Sequence, residues 1–239
     1  RLDGDILILG AGGKLGPSLT RLALRAVNAD RTVTAVSRFS DAESAARLEA
    51  AGAKVLRADI TDEAALAGLP DVGNVIFLVG SKFGSTGREA ETWYTNAYLP
   101  GRVADRFRDS RMVALSTGNV YPFTSASGGG PTEATPPGPV GEYAMSCLGR
   151  ERVLSCFAKA NGTPLAVIRL NYAVEMRYGV IVDIGRTVLA GRPVDVTMGA
   201  VNVIWQGYAN EVILRSLLHA NADPFVLNLA GPETLSVRQ

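Results

Sequence analysis

Short apolar runs alternate along the chain with longer stretches in which apolar residues recur at helical spacing. The apolar runs predict β-strands at 5–9, 32–36, 54–58, 74–79, 112–115, 164–170 and 225–229, and a further short apolar segment lies at 201–204. The helical stretches predict α-helices at 14–27, 41–51, 89–108, 142–160, 184–190 and 209–218, and a short helix that Thr61 caps. Because strands and helices alternate, we expect right-handed crossovers to place the strands in one twisted parallel sheet with helices on both faces.

A glycine-rich turn follows the first predicted strand. Gly10, Gly13 and Gly16 are spaced G-x-x-G-x-x-G between the apolar segment DILIL and an amphipathic helix. Glycine tolerates positive φ and lets the backbone approach a pyrophosphate, and the start of the next helix presents free N–H groups to the phosphates. A turn without a ligand is the alternative, but this context favours a nicotinamide dinucleotide site. The predicted fold class is therefore α/β, a Rossmann-type doubly wound parallel sheet.

The end of the second predicted strand bears on which dinucleotide binds. This strand ends in VSRFSD, so Ser37 and Arg38 stand where the adenosine ribose would lie. An acidic residue would hold the ribose hydroxyl of NAD, whereas the Arg38 guanidinium can bond the extra phosphate of NADP twice. The sequence predicts NADP as cofactor. Asp41 lies close to this strand end, so NAD remains the alternative cofactor. The alternative for Arg38 is a solvated side chain without a ligand.

Composition excludes several classes of protein. The 239 residues suit one domain, or one domain with a smaller appended lobe. A net charge of +1 predicts no nucleic acid and no anionic membrane as partner, and we expect neither a membrane span nor an export signal. Two cysteines and one histidine, His219, predict no metal site and no serine hydrolase. We expect a cytoplasmic protein.

Several segments, in their order and spacing, resemble the extended short-chain dehydrogenase/reductase superfamily in its sugar-nucleotide epimerase/dehydratase branch. GAGGKLG resembles the phosphate-binding turn, RADITD the adenine-contacting segment and VIFLVG the strand that lines the cofactor. PTEATPPGP and LNLAGPETLSVR resemble two later segments of these chains. Besides the glycines, the cofactor contacts predicted from these segments and from the second strand are Lys14, Leu15, Ser37, Arg38, Asp59, Ile60, Val79, Gly80, Asn96 and Tyr143.

The same resemblance implies the catalytic groups. STGNVY implies Thr117 as the catalytic hydroxyl, and GEYAMSCLGRE matches the family's Y-x-x-x-K signature at Tyr143, with Cys147 at the lysine position. In relatives that lysine holds the nicotinamide ribose and favours ionised tyrosine, and a thiol supplies no such charge. Seven residues beyond Tyr143, Arg150 is about 10 Å along the helix at about 1.5 Å per residue. We therefore predict a solvated surface arginine there, and a small buried thiol at Cys147.

The resemblance implies an NAD(P)-dependent, epimerase/dehydratase-like oxidoreductase that acts on a sugar, sugar acid or nucleotide sugar. Tyr143 would exchange a proton with a substrate hydroxyl, and Thr117 would hydrogen-bond the same oxygen. The alternative, which Cys147 supports, is a non-catalytic NADP(H)-binding sensor or scaffold.

Substrate contacts are expected after the strand 164–170, at Asn171, Arg177 and Tyr178, where ordinary loop residues are the alternative. Gln206 stands where relatives usually have an acidic residue. We expect an NAD(P)-binding domain over 1–170 and an incomplete substrate-binding part over 171–239, interleaved with the last strands. Relatives dimerise through the helices that correspond to 89–108 and 142–160, so a homodimer is predicted.

Overall fold

Most of the apolar runs form one parallel β-sheet in the computed structural model, which describes residues 3–82 and 86–238. The strands of the described chain are β1 Ile6–Leu9, β2 Val33–Ser37, β3 Lys54–Arg57, β4 Asn74–Phe77, β5 Arg111–Thr117, β6 Leu165–Leu170, β7 Tyr172–Val174, β8 Ala200–Trp205, β9 Phe225–Leu229 and β10 Thr234–Ser236. The main sheet has the order β3-β2-β1-β4-β5-β6-β9, and each neighbouring pair in it is parallel. The predicted doubly wound parallel sheet is confirmed.

A second sheet of three strands has the order β10-β8-β7. β8 runs parallel to β7 and antiparallel to β10. The short segment 201–204 lies in β8, and both edges of β8 are paired within this second sheet, one with β7 and one with β10. These two strands have only three residues each, too few for a period-two pattern to be recognised in the sequence.

Helices flank the main sheet. They are α1 Gly16–Ala26, α2 Ala42–Ala50, α3 Glu63–Ala67, α4 Glu89–Trp93, α5 Leu99–Arg106, α6 Glu142–Asn161, α7 Val180–Leu189 and α8 Gln206–Arg215. Asp62 caps α3 by accepting a hydrogen bond from the Ala65 backbone N–H at 2.7 Å. The prediction of Thr61 as the cap is wrong, because the Thr61 hydroxyl and N–H both bond to the Asp59 carboxylate. In the described part of the chain, no helix has the length and apolar character that a membrane crossing requires.

The predicted helix 89–108 is interrupted between α4 and α5 by a π-helical turn, Tyr94–Tyr98. Pro100 has no N–H and therefore cannot bond the carbonyl oxygen of Asn96, four residues earlier. The Nε of Arg150 donates to that oxygen instead, at 3.1 Å. The expectation of one continuous helix is thus wrong in its middle, and insertions of this kind are frequent at functional sites.

The core lies on both faces of the main sheet, as the side chains of β1 illustrate. Ile6 and Ile8 point to one face and pack in a cluster with side chains of α1 and α8. Leu7 and Leu9 point to the other face and pack with side chains of α5 and α6. Because successive strand residues face opposite sides and both sides are covered, β1 is apolar throughout.

The fold brings the ends of distant strands together. Gly10, Gly80, Thr117 and Asn171 follow or end β1, β4, β5 and β6, whose carboxyl ends lie at one edge of the sheet. The strand order changes direction between β1 and β4. In sheets of this kind, ligands bind in the crevice at that switch point.

Candidate active site

The turn after β1 holds the backbone close to α1. Gly10 has a φ of +90°, and its carbonyl oxygen accepts a hydrogen bond from the Gly13 N–H at 3.0 Å. A Cβ at Gly16 would lie 2.2 Å from the carbonyl oxygen of Ala11, so glycine is required for α1 to start this near the turn. No described side chain caps α1, which leaves its first N–H groups for a ligand. The turn fits the pyrophosphate of a dinucleotide.

Two opposite charges lie beside the end of β2. Arg38 is 80% exposed, and its Nη1 lies 3.9 Å from an oxygen of Asp59. Hydrogen bonds from the Thr61 hydroxyl and N–H, and to a lesser degree the charge of Arg38, hold the pKa of Asp59 below its ordinary value. Ile60 is buried in the core beside them, and Ser37 is the last residue of β2. This edge offers a cation for a phosphate and a carboxylate for a ribose hydroxyl.

A cavity of about 750 Å³ opens at the carboxyl ends of the central strands. It brings together predicted cofactor, catalytic and substrate residues, namely Lys14, Leu15, Gly80, Thr117, Tyr143, Asn171 and Tyr178. Its other polar and charged lining residues include Lys82, Ser116, Arg150, Asp183, Asp195 and Gln206. Lys82 was not among the residues predicted from the sequence, although it follows β4 at the edge of the sheet where ligands of such folds bind.

Tyr143 lies in the first turn of α6, beside Thr117 and Cys147. Burial raises the pKa of the Tyr143 phenol well above its ordinary value, and Cys147 adds to the increase. The charge of Arg150 and a hydrogen bond with Thr117 act in the opposite direction. Cys147 is 1% exposed and burial raises the pKa of its thiol, so the prediction of a buried neutral thiol is confirmed.

The prediction that Arg150 is a solvated surface residue is wrong. Its side chain is 5% exposed and lines the cavity. Its Nη1 donates to the carbonyl oxygen of Leu115 at 2.7 Å, and its Nη2 donates to the side-chain oxygen of Asn96 at 2.8 Å. A helical side chain extends toward the N-terminus of its helix, so the guanidinium reaches the cavity although its Cα is two turns from Tyr143. Burial lowers the pKa of Arg150, yet arginine stays charged in proteins.

Asn96 lies fully buried behind the cavity wall. Its side-chain oxygen accepts a hydrogen bond from the Ser81 N–H at 2.8 Å, and its amide nitrogen donates to the Ser81 carbonyl oxygen at 2.8 Å and to the Ser146 hydroxyl at 3.0 Å. Among the residues that the structure describes, Asn96 does not line the cavity. It connects the segment after β4 to α6 and thereby shapes the wall at Gly80.

A buried ion pair ties α6 to the sheet behind the cavity. The Arg169 guanidinium bonds the Glu151 carboxylate at 2.7 Å, and each side chain is 7% exposed. The Ser116 hydroxyl donates to Glu151 at 2.6 Å, and Arg169 donates to the Tyr121 hydroxyl at 2.6 Å. Ser116 therefore supports the contact between α6 and the sheet, while its neighbour Thr117 lines the cavity together with Tyr143.

The C-terminal part of the chain contacts the glycine-rich turn through Tyr178. Its hydroxyl donates to the Lys14 carbonyl oxygen at 2.6 Å and lies against the Gln206 side chain. The Gln206 amide also donates to the Ser18 hydroxyl at 2.7 Å. Burial raises the pKa of Tyr178 to about 12, so the phenol stays neutral.

The other two predicted substrate residues have different surroundings. Asn171 lines the cavity, and a Cβ at Gly118 would lie 2.1 Å from its side-chain oxygen, so a glycine leaves room for the amide. Arg177 does not line the cavity within the described residues, and its guanidinium pairs with Glu175 at 2.6 Å. Its contact with a substrate stays a prediction.

Comparison with protein families agrees with this geometry. A family model described as the NAD dependent epimerase/dehydratase family matches residues 6–174, which is more than half of the chain. That range begins at β1 and includes the glycine-rich turn, Thr117, Tyr143 and β7. A search of curated protein sequences found no match.

Solved structures of nucleotide-sugar epimerases share the fold. UDP-glucuronic acid 4-epimerase from Bacillus cereus, in complex with NAD, superposes with a TM-score of 0.82 at 18% identity, over 98% of this chain and 81% of that one. UDP-N-acetylglucosamine 4-epimerase from Methanobrevibacter ruminantium, in complex with UDP-N-acetylmuramic acid, gives 0.83 at 16% identity, over 100% and 80%. A UDP-galactose 4-epimerase gives 0.77 at 18%, over 98% and 80%.

Proposed function

The chain belongs to the NAD dependent epimerase/dehydratase family, and on this premise we propose that it is an NAD(P)-dependent epimerase or dehydratase. The observation that carries the proposal is that Thr117 and Tyr143 line one cavity together with Lys14 and Leu15 of the glycine-rich turn. A proton-transfer pair and a dinucleotide-binding turn thus share one space, as hydride chemistry at a hydroxyl-bearing carbon requires.

The cofactor would be held along the edge of the sheet. The turn from Gly10 to Gly16 would take the pyrophosphate, and Gly80 and Val79 would border the remainder of the cofactor. A bound nicotinamide supplies hydride acceptance and return. We propose NADP as the preferred form, because Arg38 is exposed and placed for a 2′-phosphate. The NAD in the Bacillus cereus neighbour and the carboxylate of Asp59 support NAD as the other form.

Proton transfer is assigned to Tyr143. Its phenol exchanges a proton with a substrate hydroxyl, and the Thr117 hydroxyl bonds the same substrate oxygen and orients it. Burial raises the pKa of Tyr143 above the ordinary value of a phenol, so Tyr143 is protonated at neutral pH. The phenolate fraction therefore grows as the pH rises above neutrality, and the rate at which Tyr143 takes a proton from the substrate hydroxyl should grow with it.

The substrate class is proposed to be a nucleotide sugar or a related sugar acid. The structural neighbours are named as epimerases of UDP-glucuronic acid, UDP-N-acetylglucosamine and UDP-galactose. The cavity also has the size and polar lining for a sugar ring, with Asn171 as the candidate contact.

The proposal is tested by incubating the protein with NAD or NADP and each of these three nucleotide sugars, with products followed by NMR. We expect conversion of at least one substrate, and Tyr143→Phe should lower turnover by about a hundredfold or more, the scale for a positioned proton-transfer group. Tyr208→Phe is the matched control, because Tyr208 is exposed on α8, outside the cavity lining. Full activity of Tyr143→Phe would show the assignment of Tyr143 to be wrong.

One observation favours a second candidate function, a non-catalytic NADP(H) sensor. Cys147 supplies no charge beside Tyr143. Micromolar NADPH binding without turnover of any nucleotide sugar or sugar acid would support the sensor over the enzyme.

We also propose a homodimer. Trp93, Tyr94 and Tyr98 at the π-helical turn and Met145 on α6 are exposed on neighbouring elements. Aromatic and methionine side chains are enriched in protein interfaces, so this exposed set is a candidate contact surface between two copies.

A further inference from the structure

The buried charges behind the cavity do not balance. Among the described Lys, Arg, Asp and Glu residues, those that are buried are Arg150, Glu151 and Arg169. The Glu151 carboxylate is committed to Arg169 at 2.7 Å. Within the described chain, the hydrogen-bond partners of Arg150 are the neutral oxygens of Asn96 and Leu115. The buried side chains behind the cavity therefore carry one more positive than negative charge, and such an excess favours an anion beside it.

Two groups that interact electrostatically with Arg150 can become anions, the Cys147 thiol and the Tyr143 phenol. Of these, Tyr143 lines the same cavity as Arg150 and exchanges the proton in the proposed reaction. We propose that Arg150 supplies the fixed positive charge that stabilises the anionic form of Tyr143 during proton transfer. Arg150 is thus a positioning residue that acts through Tyr143. The inference rests on the proposed function only for its catalytic consequence, because the electrostatic effect exists without substrate.

The structure holds the guanidinium in place by three hydrogen bonds. Pro100 leaves the Asn96 carbonyl oxygen without its usual helical donor, and the Nε of Arg150 bonds it at 3.1 Å. The two Nη atoms are fixed by Leu115 and by the Asn96 side chain, as described above. A Cβ at Gly80 would lie 2.8 Å from Nη2, so a glycine at this position leaves room for the guanidinium. Three of the five N–H donors of an arginine are used in this way.

Burial and Arg150 have opposite effects on the pKa of Tyr143, and the charge of Arg150 is the strongest of the effects that lower it. Burial raises the pKa of the phenol, and Arg150 is the first of the groups that lower it, ahead of the Thr117 hydrogen bond. The effect of Arg150 on the Cys147 thiol has the same direction. The other titratable or charged groups that face this region are Lys14, Lys82, Cys147, Glu151, Tyr178, Asp183 and Asp195.

The direct test measures the ionisation of Tyr143 without substrate or cofactor. A polyfluorinated tyrosine, whose phenol is more acidic than that of tyrosine, is placed at position 143 so that its ionisation falls within the pH range in which the protein is folded, and its fluorine NMR shift is followed against pH. We expect Arg150→Met to raise the midpoint by about 1–3 pH units, the usual effect of one nearby opposite charge. Arg152→Met is the matched control, because Arg152 lies on the same helix and is exposed. An unchanged midpoint in Arg150→Met would overturn the inference.

Two more variants keep the test decisive if Arg150→Met folds poorly. Arg150→Lys retains a charge at the same position and should keep the midpoint within about one unit of the parent. Cys147→Lys added to Arg150→Met places an ammonium one turn from Tyr143 and should bring the midpoint back toward the parent value. A midpoint that depends on Lys82→Met more than on the Arg150 variants would also overturn the inference.

The pH profile of kcat/KM separates this inference from the proposed function. If the enzyme turns over a nucleotide sugar, the rising limb of the kcat/KM profile should move to higher pH in Arg150→Met. In the double variant the limb should move back toward the parent position. If no substrate is converted but the fluorine midpoint still moves, the proposed function fails and the role of Arg150 stands. If turnover occurs and neither limb nor midpoint moves, the inference fails alone.

Discussion

Residues that are adjacent in the sequence have different partners in the structure. Ser116 donates to the buried Glu151 carboxylate, whereas Thr117 lines the cavity together with Tyr143. On α6, Arg150 is buried and Arg152 is exposed. The direction of each side chain from its strand or helix therefore decides whether a residue supports the frame or faces a ligand.

Arg38 should determine the choice of cofactor. We expect NADPH to bind more tightly than NADH, and Arg38→Ala should raise the Kd of NADPH by tenfold to hundredfold. The loss of a charge-assisted hydrogen bond costs about 1.5–3 kcal/mol, which corresponds to that range. Fluorescence titration measures both constants, and Arg47→Ala on α2 is an exposed control. Equal Kd values for NADPH and NADH in the parent protein would contradict the prediction.

The junction of the glycine-rich turn with α1 leaves no room for a side chain. Gly16→Ala would place a Cβ 2.2 Å from a backbone oxygen, so α1 must shift and NAD(P)H binding should weaken by roughly tenfold or more. Gly185→Ala is the matched control, because nothing lies within 4 Å of a Cβ there. A helical Gly→Ala change of this kind should stabilise by about 0.5–1 kcal/mol. Cofactor titration and thermal unfolding of both variants check the pair of predictions.

The contact of α6 with β5 and β6 depends on the buried ion pair. Arg169→Met leaves the Glu151 charge buried without its partner, so the free energy of unfolding should fall by about 3–5 kcal/mol. Arg215→Met breaks an ion pair whose arginine is 72% exposed and should change stability by about 1 kcal/mol or less. Urea denaturation compares the two variants, and similar midpoints would show that the buried pair is not what holds α6.

The assembly of the whole molecule should depend on the aromatic surface at the π-helical turn. Tyr98 is 58% exposed there, and Tyr98→Arg would place a charge on the proposed contact surface. We expect the dimer mass to fall to that of a monomer, measured by light scattering at micromolar concentration. Tyr208→Arg changes a comparably exposed tyrosine on another helix and should leave the mass unchanged. A monomeric parent protein would remove the basis of this prediction.

The division of the whole molecule into an NAD(P)-binding domain, 1–170, and a substrate-binding part, 171–239, stays a prediction. The second sheet is built from chain beyond Leu170, yet β9 returns to pair with β6 in the main sheet. Tyr178 and Gln206 of that later chain also contact the glycine-rich turn through Lys14 and Ser18. The later part of the chain is therefore closely joined to the nucleotide-binding part.

The local pattern of the sequence was sufficient for the parallel sheet and the glycine-rich turn, whereas Thr117 and Tyr143 were implied by the resemblance to the family. The sheet and the turn depend on spacing of two or 3.6 residues and on strand ends that meet at one edge, and such rules are visible in a linear chain. The same rules could not detect β7 and β10, since three residues carry too little periodicity. They also could not place the π-helical turn, where the donor to the Asn96 carbonyl oxygen comes from another helix.

The sequence by itself determined which groups could take part in chemistry, and the tertiary structure decided which of them meet. Helical spacing alone put Arg150 two turns from Tyr143 and out of reach. The packing of α6 against the sheet turned its guanidinium toward the cavity, where three oxygens from two other elements hold it. Charge acts through space and depends on burial, so the environment of Tyr143 became evident only once the chain was folded.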